Sequence, residues 1–296
     1  MNPASAKDAG AFRRGLAYGV TAYGLWGLFP IYLKQLRHVP AAEVMAQRVC
    51  WSLVLLAGLV TLGQSWGQVA AALRNPRARR LLAVSTLLIG INWFVYLHAV
   101  ATERIVHASL GYFITPLVSV LLGMMVLGER PRRLQGLALL LAGAGAAVLV
   151  AVAGMMPWIA AVLACTFGCY GLMRKLAPVE ALAGLTIETA LLTPLALAYL
   201  VWLAVAGESS FGTVDAATTW LLIGSGAATA VPLCCFGAAA RRLPLTTLGP
   251  LQYLSPSLAF LLGVWVYHEP FSPGQFAGFA LIWLALLVFT YDLFSR

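Results

Sequence analysis

Ten runs of predominantly apolar residues follow one another along this chain, near 15–34, 43–63, 80–100, 107–127, 133–153, 156–174, 183–206, 217–239, 245–267 and 273–292. Each falls in the range of roughly 17–25 residues that crosses a ~30 Å hydrocarbon core as a helix. This succession restricts the fold more than any motif does. Of the 296 residues, 61% are hydrophobic and 10% charged, where soluble domains hold about half and a quarter. A soluble surface needs more polar cover than that, whereas lipid solvates apolar faces directly. In lipid every backbone N–H and C=O must be paired within the protein, which leaves the helix as the state open to each run. The expectation is an all-α polytopic membrane protein of ten transmembrane helices, without a soluble domain.

Orientation follows from the 19 Lys and Arg. With the N-terminus inside, Lys34, Arg37 and Arg104 fall outside and Arg48 lies within a span, while all the others, from Lys7 to Arg296, fall on the cytoplasmic side. Cytoplasmic loops carry the Lys/Arg excess, so both termini are expected in the cytoplasm. The same bias accounts for a net charge of +9 without a nucleic-acid partner. The run at 15–34 is longer than a signal-peptide apolar region and no convincing cleavage site follows it, so it is expected to stay as the first span. The cysteines, Cys50, Cys165, Cys169, Cys234 and Cys235, lie inside apolar runs at spacings that indicate neither a disulfide framework nor a metal site. They read as small buried hydrophobes. No cofactor is expected.

An internal repeat has a period of about 140. TPLVSVLLGMMVLGE (Thr115–Glu129) and SPSLAFLLGVWVYHE (Ser255–Glu269) share P-x6-G-x5-E, and Leu-Gly recurs upstream at Leu110–Gly111 and Leu248–Gly249. Five spans per half inverts the second copy, an arrangement found in secondary transporters whose site lies between the halves. The chain divides accordingly into a cytoplasmic tail (1–14), a first five-helix repeat (15–153), a second (156–292) and a C-terminal tail (293–296).

Pro116 and Pro256 each deprive the helix of one hydrogen bond, at the carbonyls of Tyr112 and Gln252. Broken backbone at membrane depth faces protein or a water-filled cavity. These two kinks therefore place Tyr112, Thr115, Gln252, Tyr253 and Ser255 near a cavity wall. Few ionisable groups lie inside the runs. Arg48 and Glu188 are 140 residues apart, hence equivalent in the repeat, and each sits about 8 Å beyond its helix start at 1.5 Å per residue. Inversion puts them toward opposite faces of the membrane, as two polar walls of one cavity, with a direct ion pair between the long side chains as the alternative. Snorkelling to the interface is the competing reading for Arg48. Glu188 is the candidate proton carrier if transport is proton-coupled. Tyr23, Trp26, Asn92, Trp93 and Tyr96 complete an aromatic wall with polar tips, suited to small amphipathic molecules. Gly274–Gly278 forms a small-residue face that could seat a second copy, so the chain is expected as a monomer or homodimer.

ASLGYFITPL with LGER, IETALLTP, VPLCCFGAAARRL with TLGPLQY, and AQRVCWS resemble the RarD branch of the EamA-domain drug/metabolite transporters over nearly the whole chain. The resemblance implies two inverted five-helix repeats in a bacterial inner membrane. Helices one to four and six to nine would surround the cavity, with five and ten peripheral. Members of the branch are called chloramphenicol-sensitivity proteins, and related families export amino acids and other metabolites. Gln47 stands where relatives often carry His, which removes a titrating neighbour from Arg48.

The expected activity is gradient-driven or exchange transport of a small organic molecule, in the export direction, by alternating access. No G-x-x-x-x-G-K-[ST] stretch is present to bind ATP. A membrane-embedded lipid-modifying enzyme would need clustered carboxylates, metal ligands or a nucleophile with its base, and the chain shows no H-E-x-x-H or paired-acid motif. A passive channel is the remaining alternative.

Overall fold

The computed structural model describes residues 3–102, 105–154, 158–268 and 272–295. Arg104, Arg296 and the repeat's second acidic residue, Glu269, lie outside them, as does the Lys7 side chain. Among the described residues the regular elements are all helical: α1 (Pro3–Gln35), α2 (Ala41–Leu62), α3 (Trp66–Arg74), α4 (Pro76–Ala101), α5 (Ile105–Leu127), α6 (Arg133–Ala153), α7 (Trp158–Leu176), α8 (Ala181–Ala206), α9 (Ala216–Arg242), α10 (Leu245–Leu251), α11 (Leu254–Leu261) and α12 (Pro273–Phe294), with a π-helical turn at Leu262–Val266. Nine of these are long and apolar enough to cross a membrane: α1, α2, α4 to α9 and α12.

The ninth apolar run, 245–267, is not one unbroken helix. Its residues form α10, α11 and the π-helical turn in succession. The cause is proline. Pro256 has no N–H for the Gln252 carbonyl, so the Ser255 N–H bonds it instead at 3.2 Å. Two further three-residue bonds, Gln252 N–H to Gly249 O at 2.9 Å and Tyr253 N–H to Pro250 O at 3.1 Å, tighten the junction. The carbonyl expected to be freed is thus satisfied locally, at the cost of helix continuity.

Two other elements depart from expectation. α1 begins at Pro3, so the segment read as an N-terminal tail continues the first helix. The short connection expected between the second and third spans contains α3, whose Val69 and Ala72 are buried with Ala78, Leu82, Ala183 and Ile187. The Asn75 side chain accepts the N–H groups of Arg77 and Ala78 at 2.9 and 3.2 Å, and Pro76 follows it as the first residue of α4. This cap supplies the sharp start of α4.

The Arg-rich turns gather at one end of the bundle, here the basic end. There Glu129 accepts the N–H groups of Leu245 and Thr246 at 2.9 and 2.8 Å, joining the end of α5 to the start of α10. At the opposite end Glu43, fully buried, accepts from the Ser210 N–H at 2.8 Å and the Ser209 hydroxyl at 3.0 Å, holding the α8–α9 loop. α6 and α12 pack on each other beside α5, with Phe113, Phe279, Ile282 and Phe289 in their shared core. The small-residue face of α12 is used here: a Cβ on Gly278 would meet Leu149, and one on Gly274 would meet Val152, both on α6. It is an intrachain seam rather than a seat for a second copy.

α2 and α9 approach so closely that a Cβ on Gly226 would lie 2.4 Å from the Trp51 backbone carbon. The Ser52 hydroxyl donates to the Gly226 carbonyl across this contact at 3.0 Å. Gly226→Ala is expected to lower stability by about 1–3 kcal/mol through overpacking against backbone. Its melting transition in detergent, beside that of Gly58→Ala, where a Cβ meets nothing within 4 Å, checks this.

Candidate functional site

A cavity of about 240 Å³ lies among α1, α2, α4, α5, α7, α9 and α11, in the half of the bundle away from the basic end. Tyr23, Trp26, Arg48, Asn92, Trp93, Tyr96, Tyr112 and Gln252 line it, as does Pro256. Tyr112 is half exposed and stands at its edge. Two of the expected residues are elsewhere. Tyr253 is buried with its hydroxyl donating to the Phe113 carbonyl at 3.0 Å, and Glu188 is buried nearer the basic end. Pro116 lies within the continuous helix α5 and does not line the cavity.

Arg48 is 9% exposed, so it does not snorkel to an interface here. Its Nε donates to the Thr229 hydroxyl at 2.7 Å, and that hydroxyl donates in turn to the Ser225 carbonyl at 2.8 Å. A guanidinium has five N–H donors; Thr229 engages the one on Nε, and the residue lines the cavity. The Phe29 ring lies 4.8 Å from the guanidinium carbon and Trp93 lies 6.0 Å from it, within the range of cation–π attraction. Among the described residues no carboxylate pairs with it.

The neutral polar groups of the wall are partly committed. Asn92 Nδ2 donates to the Leu163 carbonyl at 3.0 Å and the Thr166 hydroxyl at 2.9 Å, tying α4 to α7 and leaving its Oδ1 as an acceptor. Gln252 Nε2 donates to Ser119 at 2.9 Å, tying the α10–α11 junction to α5. The buried Tyr23 hydroxyl makes no hydrogen bond of normal geometry, with the Gln252 side chain as its polar neighbour. Buried polar atoms are rarely left so, and this one borders the cavity.

Aromatic rings form the floor. Trp26 packs on Phe167 and Phe236 at centroid distances of 5.8 and 5.9 Å, and Tyr170 stacks on Phe236 at 5.7 Å with planes 14° apart. The Tyr170 hydroxyl donates to Glu188 Oε2 at 3.2 Å. Glu188 Oε1 accepts from Arg174 Nη1 at 3.2 Å and also from the Ser85 hydroxyl. Arg174 Nη2 donates to the Ala181 carbonyl at 3.1 Å. Gly184 makes room for this guanidinium: a Cβ there would lie 2.2 Å from Nη1. Lys175, 3.9 Å from Glu129, and the Arg241–Glu180 pair at 2.7 Å extend the layer around the end of α9. The basic end is therefore closed by paired charge, and the cavity above it holds one charge without a partner.

Sequence reasoning missed Arg174 because the sixth apolar run ends on it, so it read as a loop residue; α7 continues to Leu176. Thr229 was missed as well. Its signal was present in Ser225 and Thr229, one turn apart in an otherwise apolar run.

An all-helical polytopic membrane protein with a small aromatic cavity above a closed ionic layer has the build of a small-molecule transporter. Residues 13–151 match the EamA-like transporter family. The RarD protein of Streptomyces exfoliatus is 44% identical over 280 residues, covering 95% of this chain and 89% of that one. A protein of Vibrio cholerae described as an uncharacterized transporter is 45% identical over 284 residues, covering 95% and 93%. A crystal structure that is 22% identical aligns with a TM-score of 0.73 over 96% of this chain and all of that one, a likeness of fold. The chain belongs to the EamA-like transporter family, in its RarD branch. It is a multi-pass inner-membrane transporter of the drug/metabolite type.

Proposed function

We propose that the protein is a secondary carrier that exports a small organic molecule by alternating access, with ten spans in two inverted five-helix repeats (15–153 and 156–292) and both termini in the cytoplasm. The observation that carries this reading is the asymmetry of the site: an unpaired Arg48 in a cavity on one side, a layer of paired charges closing the other. In this orientation the basic end is cytoplasmic and the cavity lies toward the periplasm. A carrier needs a closure that can be undone, and hydrogen bonds and ion pairs between separate helices meet that need.

Packing supports the repeat. A shift of 140 residues carries α1 onto α7, α4 onto α9, and α5 onto α10–α11. Under that shift the α1–α9 contact maps onto α7–α4 and α1–α11 onto α7–α5, while α2–α8, α5–α10 and α6–α12 map onto themselves; all of these pairs pack together. The two helix ends in question also match in backbone, Gly128 at φ 65° and His268 at φ 52°.

Proton coupling through Glu188 would take place inside the ionic layer rather than at the substrate. A proton on Glu188 removes the counter-charge of Arg174 and weakens the closure, so uptake of the proton and opening of the cytoplasmic end would be one event. Proteoliposomes preloaded with members of a panel of amino acids, nucleobases, organic acids and chloramphenicol test the carrier. Saturable uptake accelerated by internal substrate is expected, whereas linear flux without exchange indicates a channel. Glu188→Gln is expected to keep exchange and lose accumulation driven by a pH gradient.

A further inference from the structure

We infer that the cavity takes an organic monoanion with a flat, unsaturated body, in the first instance a monocarboxylate, and rejects cations and zwitterions. This deepens the reading above, in that it takes this cavity as the substrate site.

The first ground is charge. Among the residues lining the cavity, Arg48 is the one that is ionised at neutral pH. It cannot shed the charge, because a guanidinium stays protonated in proteins. A buried charge without a partner is costly. The two terminal nitrogens left by the Thr229 bond are the pair that binds a carboxylate through two parallel hydrogen bonds. A single arginine neutralises one negative charge, which disfavours di- and trianions in a closed apolar site.

The second ground is what lies out of reach. An ammonium group would need a carboxylate, and Glu188 lies below the Phe236 and Tyr170 rings in its own pair with Arg174. Arg48 and Glu188, equivalent in the repeat, are divided by the fold between cavity and closure. In the cavity the one ionised group an ammonium would meet is Arg48, a like charge, with ring faces but no carboxylate to offset it.

The third ground is shape. The volume of about 240 Å³ lies below the usual range of ~300–1,000 Å³ for ligand pockets, so the substrate is small. Trp26, Phe29, Trp93 and Phe167 provide flat faces, and these favour a planar body. Elsewhere on the wall, Tyr23 and the Asn92 Oδ1 provide for one neutral polar substituent.

The test compares four molecules that share one ring: benzoate, benzamide, benzylamine and phenylalanine. Binding is read on the full chain in lipid nanodiscs by quenching of tryptophan emission, which Trp26 and Trp93 report from the cavity wall, and transport by exchange in proteoliposomes. Benzoate is expected to bind saturably and at least tenfold more tightly than the other three. Arg48→Gln is expected to erase that preference, Arg48→Lys to retain part of it, and Thr229→Val, which frees the guanidinium to turn, to weaken benzoate severalfold while keeping the order. Phenylalanine or benzylamine binding as tightly as benzoate overturns the charge assignment and leaves the carrier standing. Benzoate binding without exchange upholds the assignment and removes the carrier. Equal displacement of benzoate by chloride overturns the organic part, as does the absence of binding by all four.

Discussion

Arg174→Met is expected to destabilise the protein by about 3–5 kcal/mol, while Arg174→Met combined with Glu188→Met recovers most of the loss. Both partners are essentially sealed, with side chains 2% and 1% exposed. Removing the arginine alone leaves a carboxylate with only the Ser85 and Tyr170 hydroxyls to support it. Removing both replaces two buried charges by apolar volume, and such exchanges are often neutral or stabilising. Thermal unfolding of the three proteins in one detergent checks the order. Equal losses in the single and the double variant would mean that the ionic pair is not what holds this end. The double variant also separates stability from turnover: with the closure made apolar, it is expected to keep binding and lose gradient-driven accumulation.

Arg48→Gln is expected to do the reverse, reducing uptake of transported anions at least tenfold while leaving the melting transition unchanged or higher. A charge-assisted hydrogen bond contributes about 1.5–3 kcal/mol, which at 1.4 kcal/mol per decade is a loss of roughly ten- to a hundredfold in affinity. The stability sign follows from burial without a counter-ion. Arg48 receives one hydroxyl and two ring faces from the fold, less than its desolvation costs, so glutamine relieves the native state. A large fall in melting temperature would identify Arg48 as structural, and unchanged flux would identify it as a bystander.

The two sites are mechanically continuous. Tyr23 and Trp26 line the cavity and pack on Phe236; Phe236 stacks on Tyr170; Tyr170 donates to Glu188. This chain of contacts runs from the cavity wall to Glu188, although Arg48 and Glu188 do not touch.

Much of this was legible beforehand. Apolar runs of bilayer length leave a chain no state but helix, since lipid offers no partner to a free backbone group, and among the described residues nine helices of sufficient length are present. Tyr23, Trp26, Arg48, Asn92, Trp93, Tyr96, Tyr112 and Gln252 do line one cavity, because polar and aromatic residues at matching depths in a greasy chain have few other places to go. Pro256, expected to kink its helix, marks where the ninth run is interrupted.

Partnership was not legible. Whether Glu188 met substrate or another side chain depended on Arg174, fourteen residues earlier and across the α7–α8 reversal. Thr229 holds Arg48 from 181 residues away, and the small face of α12 closes on α6 rather than on a second copy. The sequence by itself determined which solvent the chain folds in, and so its helices and their polar points. Which point meets which was decided only in the tertiary structure, since that depends on how all the helix surfaces fit together at once and no segment carries that information alone.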